Sequence, residues 1–235
     1  MSAPLFLWMN IIMNSISANI AALREKIARA CEEAGRDPQG VNLVAVSKLQ
    51  PPDCIAAGLE AGHRLFGENR VQEAKARWAD SRAQYPGLKL HLIGPLQTNK
   101  AREAVALFDC IETVDRPALG DALSKEMAKQ NRNLPCFIQV NTGEEAQKGG
   151  VAPDGFPDLL DHCRKAGLEI RGLMCIPPLD DPPAPHFALL KKLAQRHGLP
   201  DLSMGMSADY EAAIALGATY IRIGTALFGE RSADR

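Results

Sequence analysis

Lys48 ends the apolar run Val41-Asn-Leu-Val-Ala-Val-Ser-Lys48, which Gly40 precedes and Pro51-Pro52 follows. The run is short and rich in β-branched residues, as in a strand of a parallel sheet buried on both faces. A lysine at the last inward position of such a strand is costly unless it is neutral, paired or covalently engaged. Desolvation favours the neutral amine, the form that adds to a carbonyl. Taken alone, the simpler reading of Lys48 is a side chain that snorkels to solvent. A second group of residues lies near the end of the chain. Gly205-Met-Ser207 runs into a helix opening at Asp209, and Gly224-Thr225 follows the last apolar run. Small residues let backbone N–H groups approach an anion, Ser207 and Thr225 add hydroxyls, and helix N-termini favour negative charge. The alternative is that both glycines serve only tight packing. An amine and a phosphate cradle suit a ligand with an aldehyde and a phosphate. Pyridoxal 5′-phosphate (PLP) has both, and sugar-phosphate aldolases use a similar combination, so these residues alone leave two ligand classes open.

Positioning such groups requires a scaffold, and the chain alternates between short apolar runs and helical patterns. Strands are predicted at 41–48, 64–69, 88–96, 110–115, 136–141, 170–176, 202–206 and 220–228. Helices are predicted at 17–34, with Ser17 as N-cap and Gly35 as the stop, then at 52–62, 71–82, 98–108, 117–130 and 156–166. A proline-rich loop (177–185) leads into a helix that ends near His197, and a last helix covers 209–216. Strict strand–helix alternation implies right-handed crossovers and a parallel sheet. Eight units in 235 residues point to a closed (β/α)₈ TIM barrel occupying 16–235. A doubly wound open sheet is the alternative, but no G-x-G-x-x-G follows the first strand. In a barrel the active face lies at the C-terminal ends of the strands. Lys48, Glu68-Asn69, His91, Asp115-Arg116, Asn141-Thr142, Ser203, the 204–207 turn, Arg222 and Gly224-Thr225 would collect there.

Composition excludes several other roles. Net charge is −1 without a basic block, so neither nucleic acid nor an anionic membrane is an expected partner. The six cysteines are scattered, with no C-x-x-C pair. They read as reduced apolar residues of a cytoplasmic protein, with no metal or disulfide framework indicated. Residues 1–15 open with an apolar segment too short to span a bilayer and without the basic start and cleavage site of a signal peptide. They are expected to be a dispensable extension. For want of an extra apolar face, a monomer is expected.

Six stretches together resemble the pyridoxal phosphate homeostasis protein family, over roughly Ile16 to Arg231. They are Val44-Ala-Val-Ser-Lys48, Phe66-Gly-Glu-Asn-Arg-Val-Gln-Glu73, His91-Leu-Ile-Gly-Pro-Leu-Gln-Thr-Asn-Lys100, Gly172-Leu-Met174, Leu202-Ser-Met-Gly-Met-Ser-Ala-Asp209 and Ile221-Arg-Ile-Gly-Thr-Ala-Leu-Phe-Gly229. The resemblance implies a fold-type III barrel of the alanine racemase N-terminal-domain type, with PLP held as a Schiff base on Lys48. It places Asn69 and His91 near the cofactor, Met204 near its ring, and Arg222 at the pyridine nitrogen. Ser207, Gly224 and Thr225 would hold the phosphate. The implied role is intracellular vitamin B6 homeostasis, with PLP-dependent apoenzymes as recipients and no catalytic residues. The chain departs from the family pattern at Leu90, where tryptophan is usual, and in the loop Glu144-Glu-Ala-Gln-Lys-Gly-Gly150, which puts a role for Lys148 in doubt.

Carrier and enzyme remain distinct expectations. An arginine near the ring nitrogen disfavours its protonation and weakens the ring as an electron sink. Racemisation also needs a second acid/base opposite Lys48, and of the three tyrosines only Tyr210 is a candidate for the mouth. The alternative is a small fold-type III enzyme such as an amino-acid racemase. A Schiff-base aldolase acting on a sugar phosphate is a more distant third.

Overall fold

The computed structural model describes residues 3–78 and 81–229. Eight parallel strands, β1 (Asn42–Val46), β2 (Leu65–Glu68), β3 (Lys89–Leu92), β4 (Cys110–Val114), β5 (Cys136–Gln139), β6 (Ile170–Met174), β7 (Asp201–Ser203) and β8 (Tyr220–Ile223), close into a barrel in sequence order. The closing seam pairs β1 with β8 in the register Val44↔Arg222. The (β/α)₈ barrel expected from the alternation is therefore the fold observed.

Ten helices surround the barrel among the described residues. They are α1 (Ala3–Glu33), α2 (Pro52–Glu60), α3 (Val71–Trp78), α4 (Ser81–Gln84), α5 (Ala101–Leu107), α6 (Pro117–Gln130), α7 (Phe156–Lys165), α8 (Pro183–Arg196), α9 (Tyr210–Ala215) and α10 (Thr225–Phe228). On α1 the buried positions Ile16, Ile20, Leu23, Ile27 and Cys31 repeat every three to four residues, so one stripe faces the barrel. The stripe packs against α2, α9 and α10. Asn19 donates to the Leu227 carbonyl at 3.0 Å, and Arg36 donates to the carbonyls of Ile214 and Ala218. The two ends of the barrel sequence are thus fastened by one helix. No helix among the described residues is long and apolar enough to cross a membrane.

Some boundaries differ from expectation. The first helix begins at Ala3, so Ser17 is an exposed residue within it and caps nothing. The helix expected over 71–82 ends at Trp78, and residues 79–80 lie outside the described ones. Strand eight, expected to reach Phe228, stops at Ile223, and Gly224 turns the chain into α10. Strands one and three also end early, at Val46 and Leu92, which leaves Lys48 in a turn.

Strand register and side-chain alternation sort the barrel interior into layers of four contributed by alternate strands. Leu65, Cys110, Gly172 and Tyr220 lie nearest the N-terminal end. Val44, His91, Phe137 and Ser203 come next, then Gly67, Glu112, Met174 and Arg222. Contacts agree with this order. Tyr220 meets Phe137 edge-on at 5.5 Å, and Cys110, Phe137 and Met174 form an apolar cluster separate from the main core. The glycines make room for larger neighbours. A Cβ on Gly172 would lie 2.2 Å from the Asp201 carbonyl oxygen and 2.7 Å from the Phe137 ring.

His63 joins α2 to β2. Its Nε2 lies 2.8 Å from the Leu65 carbonyl, and its ring meets Phe66 edge-on at 5.2 Å. Burial depresses its pKa to about 4, with smaller lowering from Arg24 and Arg64, against the raising effect of the Leu65 hydrogen bond. Two measurements follow. The unfolded chain takes up this proton near pH 6.5 and the folded chain only near 4, so acidification through that window favours unfolding. Urea titrations should lose about 2 kcal/mol between about pH 7 and pH 5, and His63→Gln should remove most of that slope. Gly172→Ala should destabilise by about 1–3 kcal/mol through overpacking, while Gly40→Ala, with open space around it, should stay within about 0.5 kcal/mol.

Candidate functional site at the C-terminal mouth

Lys48 leaves β1 two inward positions above Val44, in a turn closed by a 3.1 Å hydrogen bond from Gln50 N to the Ser47 carbonyl. The turn places Leu49 in the left-handed region at φ 59°, a conformation that costs a non-glycine residue energy and clusters at functional sites. Lys48 is half-buried and forms no ion pair or side-chain hydrogen bond among the described residues. Ser47, one position earlier, is fully buried on the opposite side of the strand. Its hydroxyl donates to Glu68 Oε1 at 2.6 Å, and the same oxygen accepts from Arg77 (2.7 Å) and Trp78 Nε1 (2.9 Å). Glu68 thus faces away from the rim where the sequence reading collects it. Its role is to fasten the backbone just before Lys48 to α3.

The neighbouring part of the mouth, next to β1 across the closing seam, is built by the turn after β7 and by α10. Gly205 adopts φ +92°, and a Cβ there would lie 2.6 Å from Ala213 Cβ, so glycine is needed both for conformation and for space. Asp209 Oδ1 accepts from Met206 N at 2.6 Å and fixes the turn. Ser207 Oγ accepts from Ala226 N at 3.4 Å, so the Ser207 hydroxyl and the first N–H groups of α10, opened by Gly224 and Thr225, converge on one place. Asn69 follows β2 beside Gly94, where a Cβ would lie 2.3 Å from the Asn69 carbonyl oxygen.

Beneath the mouth lies a chain of buried polar groups. Arg222 Nη1 donates to Ser203 Oγ (2.6 Å) and Nη2 to the Cys175 carbonyl (2.8 Å). Ser203 Oγ donates to Glu112 Oε2 (2.5 Å), and His91 Nδ1 lies 2.6 Å from Glu112 Oε1. Burial raises the Glu112 pKa, but the His91 hydrogen bond and charge, the Arg222 charge and the Ser203 hydrogen bond outweigh it, and the carboxyl titrates below its ordinary value. Burial also pushes the Cys110 thiol far up. His91, Cys110 and Glu112 place one ligand atom each within 4.8 Å of one another, a grouping invisible in the linear spacing of the cysteines. Both Glu112 oxygens are already engaged, by His91 and Ser203, and Cys110 packs in the apolar cluster with Phe137 and Met174.

The expected site residues therefore separate into two groups. Lys48, Asn69, Ser207, Gly224 and Thr225 surround the mouth, with Arg222 in the layer below. His91 lies one layer deeper and connects upward only through Glu112. Met204 is fully buried in the main core, while Ser203 beside it faces the interior. Of the tyrosines, Tyr210 lies in the main core and donates to Glu211, Tyr85 donates to Glu60, and Tyr220 belongs to the layer nearest the N-terminal end. Lys148 is held by Glu145 at 2.6 Å and by the Pro177 carbonyl. Sequence reasoning missed Glu112, although a carboxylate in the middle of an otherwise apolar strand is itself a signal.

Residues 18–232 match the family described as alanine racemase, N-terminal domain. The solved structure of PipY from Synechococcus elongatus with PLP bound is 38% identical, with TM-score 0.78 over 91% of this chain and 100% of that one. An alanine racemase of Clostridium difficile, 12% identical, shares the fold alone, with TM-score 0.69 over 94% of this chain and 58% of that one. The pyridoxal phosphate homeostasis protein of Pseudomonas aeruginosa is 44% identical, over 93% of this chain and 97% of its own length. The chain belongs to the family of pyridoxal phosphate homeostasis proteins, within the alanine racemase N-terminal domain class. The Vibrio cholerae member is 42% identical over 95% of this chain and 99% of its own length.

The buried chain provides a stability test. Glu112→Ala leaves Arg222 and His91 without their shared carboxylate and should cost about 3–5 kcal/mol in urea unfolding at neutral pH. Glu112→Gln, which keeps an oxygen acceptor, should cost less.

Proposed function

We propose that this protein binds pyridoxal 5′-phosphate at the C-terminal mouth and holds it as an intracellular reserve, without turning over a substrate. The observation that carries the reading is the half-buried Lys48 at the end of β1, beside the Ser207–α10 turn at the seam with β8, with the buried Arg222 guanidinium deeper in the barrel. The names of the curated relatives and the PLP-bound PipY structure support it. A phosphate fits the convergence of Ser207 with the N–H groups at Gly224-Thr225, where glycines leave space.

Lys48 supplies the amine for covalent attachment, and the strained turn with its Glu68–Ser47 anchor orients it. Ser207, Gly224 and Thr225 hold the phosphate, and Asn69 borders the ring. Bound PLP supplies a ring whose strength as an electron sink rises when its nitrogen is protonated. Arg222 can only donate and stays charged, so it satisfies a neutral nitrogen and disfavours a proton there. His91 acts at a distance, by orienting Glu112 and through it Ser203 and Arg222. Met204 supports the turn from behind. Tyr85 and Tyr210 donate to Glu60 and Glu211, and Tyr220 lies in the layer farthest from the mouth, so no tyrosine supplies a second acid/base opposite Lys48, which favours the carrier over a racemase. On this reading PLP-dependent apoenzymes are the recipients and the protein acts as a monomer. Its six unpaired cysteines suit the reducing cytoplasm.

Purified protein should absorb near ~420 nm, a property of the attached cofactor, and Lys48→Ala should lose that band. A band unchanged in Lys48→Ala would refute attachment at Lys48. With D- or L-alanine as substrate, racemisation at about 1 s⁻¹ or faster would overturn the carrier reading.

A further inference from the structure

A cavity of about 1090 Å³ opens at the opposite, N-terminal end of the barrel. Nothing in the reading of the upper mouth uses it. Its inner wall is made by His91, Cys110, Phe137 and Tyr220, and Lys89 and Arg24 lie toward its rim. Three features point to a ligand. His91 is 5% exposed, its Nδ1 is committed to Glu112, and its Nε2 has no hydrogen-bond partner among the described residues. That nitrogen borders the cavity, so a ligand there finds a polar partner at the inner wall. The wall is also amphipathic: the Phe137 and Tyr220 rings meet edge-on, His91 lies 5.5 Å from Tyr220, and the Tyr220 hydroxyl makes no hydrogen bond among the described residues.

Charge supplies the third feature. Five Lys and Arg side chains line the cavity against three carboxylates. Arg171 pairs with Asp201 and Arg132 with Asp109, while Arg64 donates to the carbonyls of Leu59 and His63. Arg24 and Lys89 have no carboxylate partner among the described residues, and the lining keeps a positive surplus.

We propose that this N-terminal cavity is a second binding site, for a small organic acid with an apolar body. The carboxylate meets Lys89 and Arg24 at the rim. The apolar body lies against Phe137 and Tyr220, and a hydroxyl at the far end hydrogen-bonds to His91 Nε2 or to the Tyr220 hydroxyl. The layer holding Glu112 and Arg222 separates this site from the upper mouth, so both can be filled at once, and the proposal does not depend on what the upper mouth binds.

The test uses the full chain loaded with PLP and titrated with 4-hydroxybenzoate by calorimetry. Saturable binding with a Kd of about 1 mM or tighter is expected. The double variant Arg24→Glu, Lys89→Glu should weaken it at least about tenfold, while Lys192→Glu, away from the cavity, should leave it unchanged. The far-ultraviolet circular dichroism spectrum and the urea midpoint of both variants should match those of the unsubstituted protein, which shows that they are folded. No saturable binding up to about 20 mM, equal binding by the charge-reversed variant, or binding only in the PLP-free protein would each overturn the proposal.

Discussion

A full positive charge inside the barrel is the constraint on which the rest of the interior depends. Arg222 projects inward from β8 and is almost wholly removed from solvent. A guanidinium so placed must be paired and hydrogen-bonded, or the fold loses several kcal/mol. Ser203, the Cys175 carbonyl, Glu112 and His91 meet that need in sequence, using four different strands and the loop after β6. Small residues at Gly67 and Gly172 make room for the large groups around them. The interior is therefore a polar core within an apolar one, and its upper end presents a fixed cation to the C-terminal mouth.

The two ends of the barrel differ because the polar chain lies across the middle. Above it, strand ends and turns bring together an amine, a hydroxyl and backbone donors. Below it, His91 and Tyr220 face a wide opening with a cationic rim. The anchor at Glu68 belongs to neither end: it works on the outer side of the sheet, where Ser47, Arg77 and Trp78 meet. The same strand end therefore has a rigid outer side and a chemically available inner one at Lys48.

Much of this was legible in the residues. The strand–helix alternation gave the barrel, and the lysine and the two glycine turns gave the mouth, because each depends on local sequence. What depends on period-two alternation near strand ends was harder to read. Glu68 and Met204 sit one residue away from inward positions and face the helices instead, since a strand's side chains change sides at every step. The Glu112 cluster joins residues 91, 112, 203 and 222, and only the closed register brings them together. Ser17 looked like a cap because of its type, but the turn before it continues the helix, which leaves no terminus to cap. β8 ends before Ala226-Leu-Phe228, which is apolar enough for a strand, because Gly224 turns the chain into α10.

The central claim is that Lys48 holds PLP. Borohydride reduction of the purified, PLP-loaded protein, followed by peptide mass spectrometry, tests it most directly. The account predicts a phosphopyridoxyl group on Lys48 at near-stoichiometric yield. The same group found chiefly on another lysine, or on none, would contradict it.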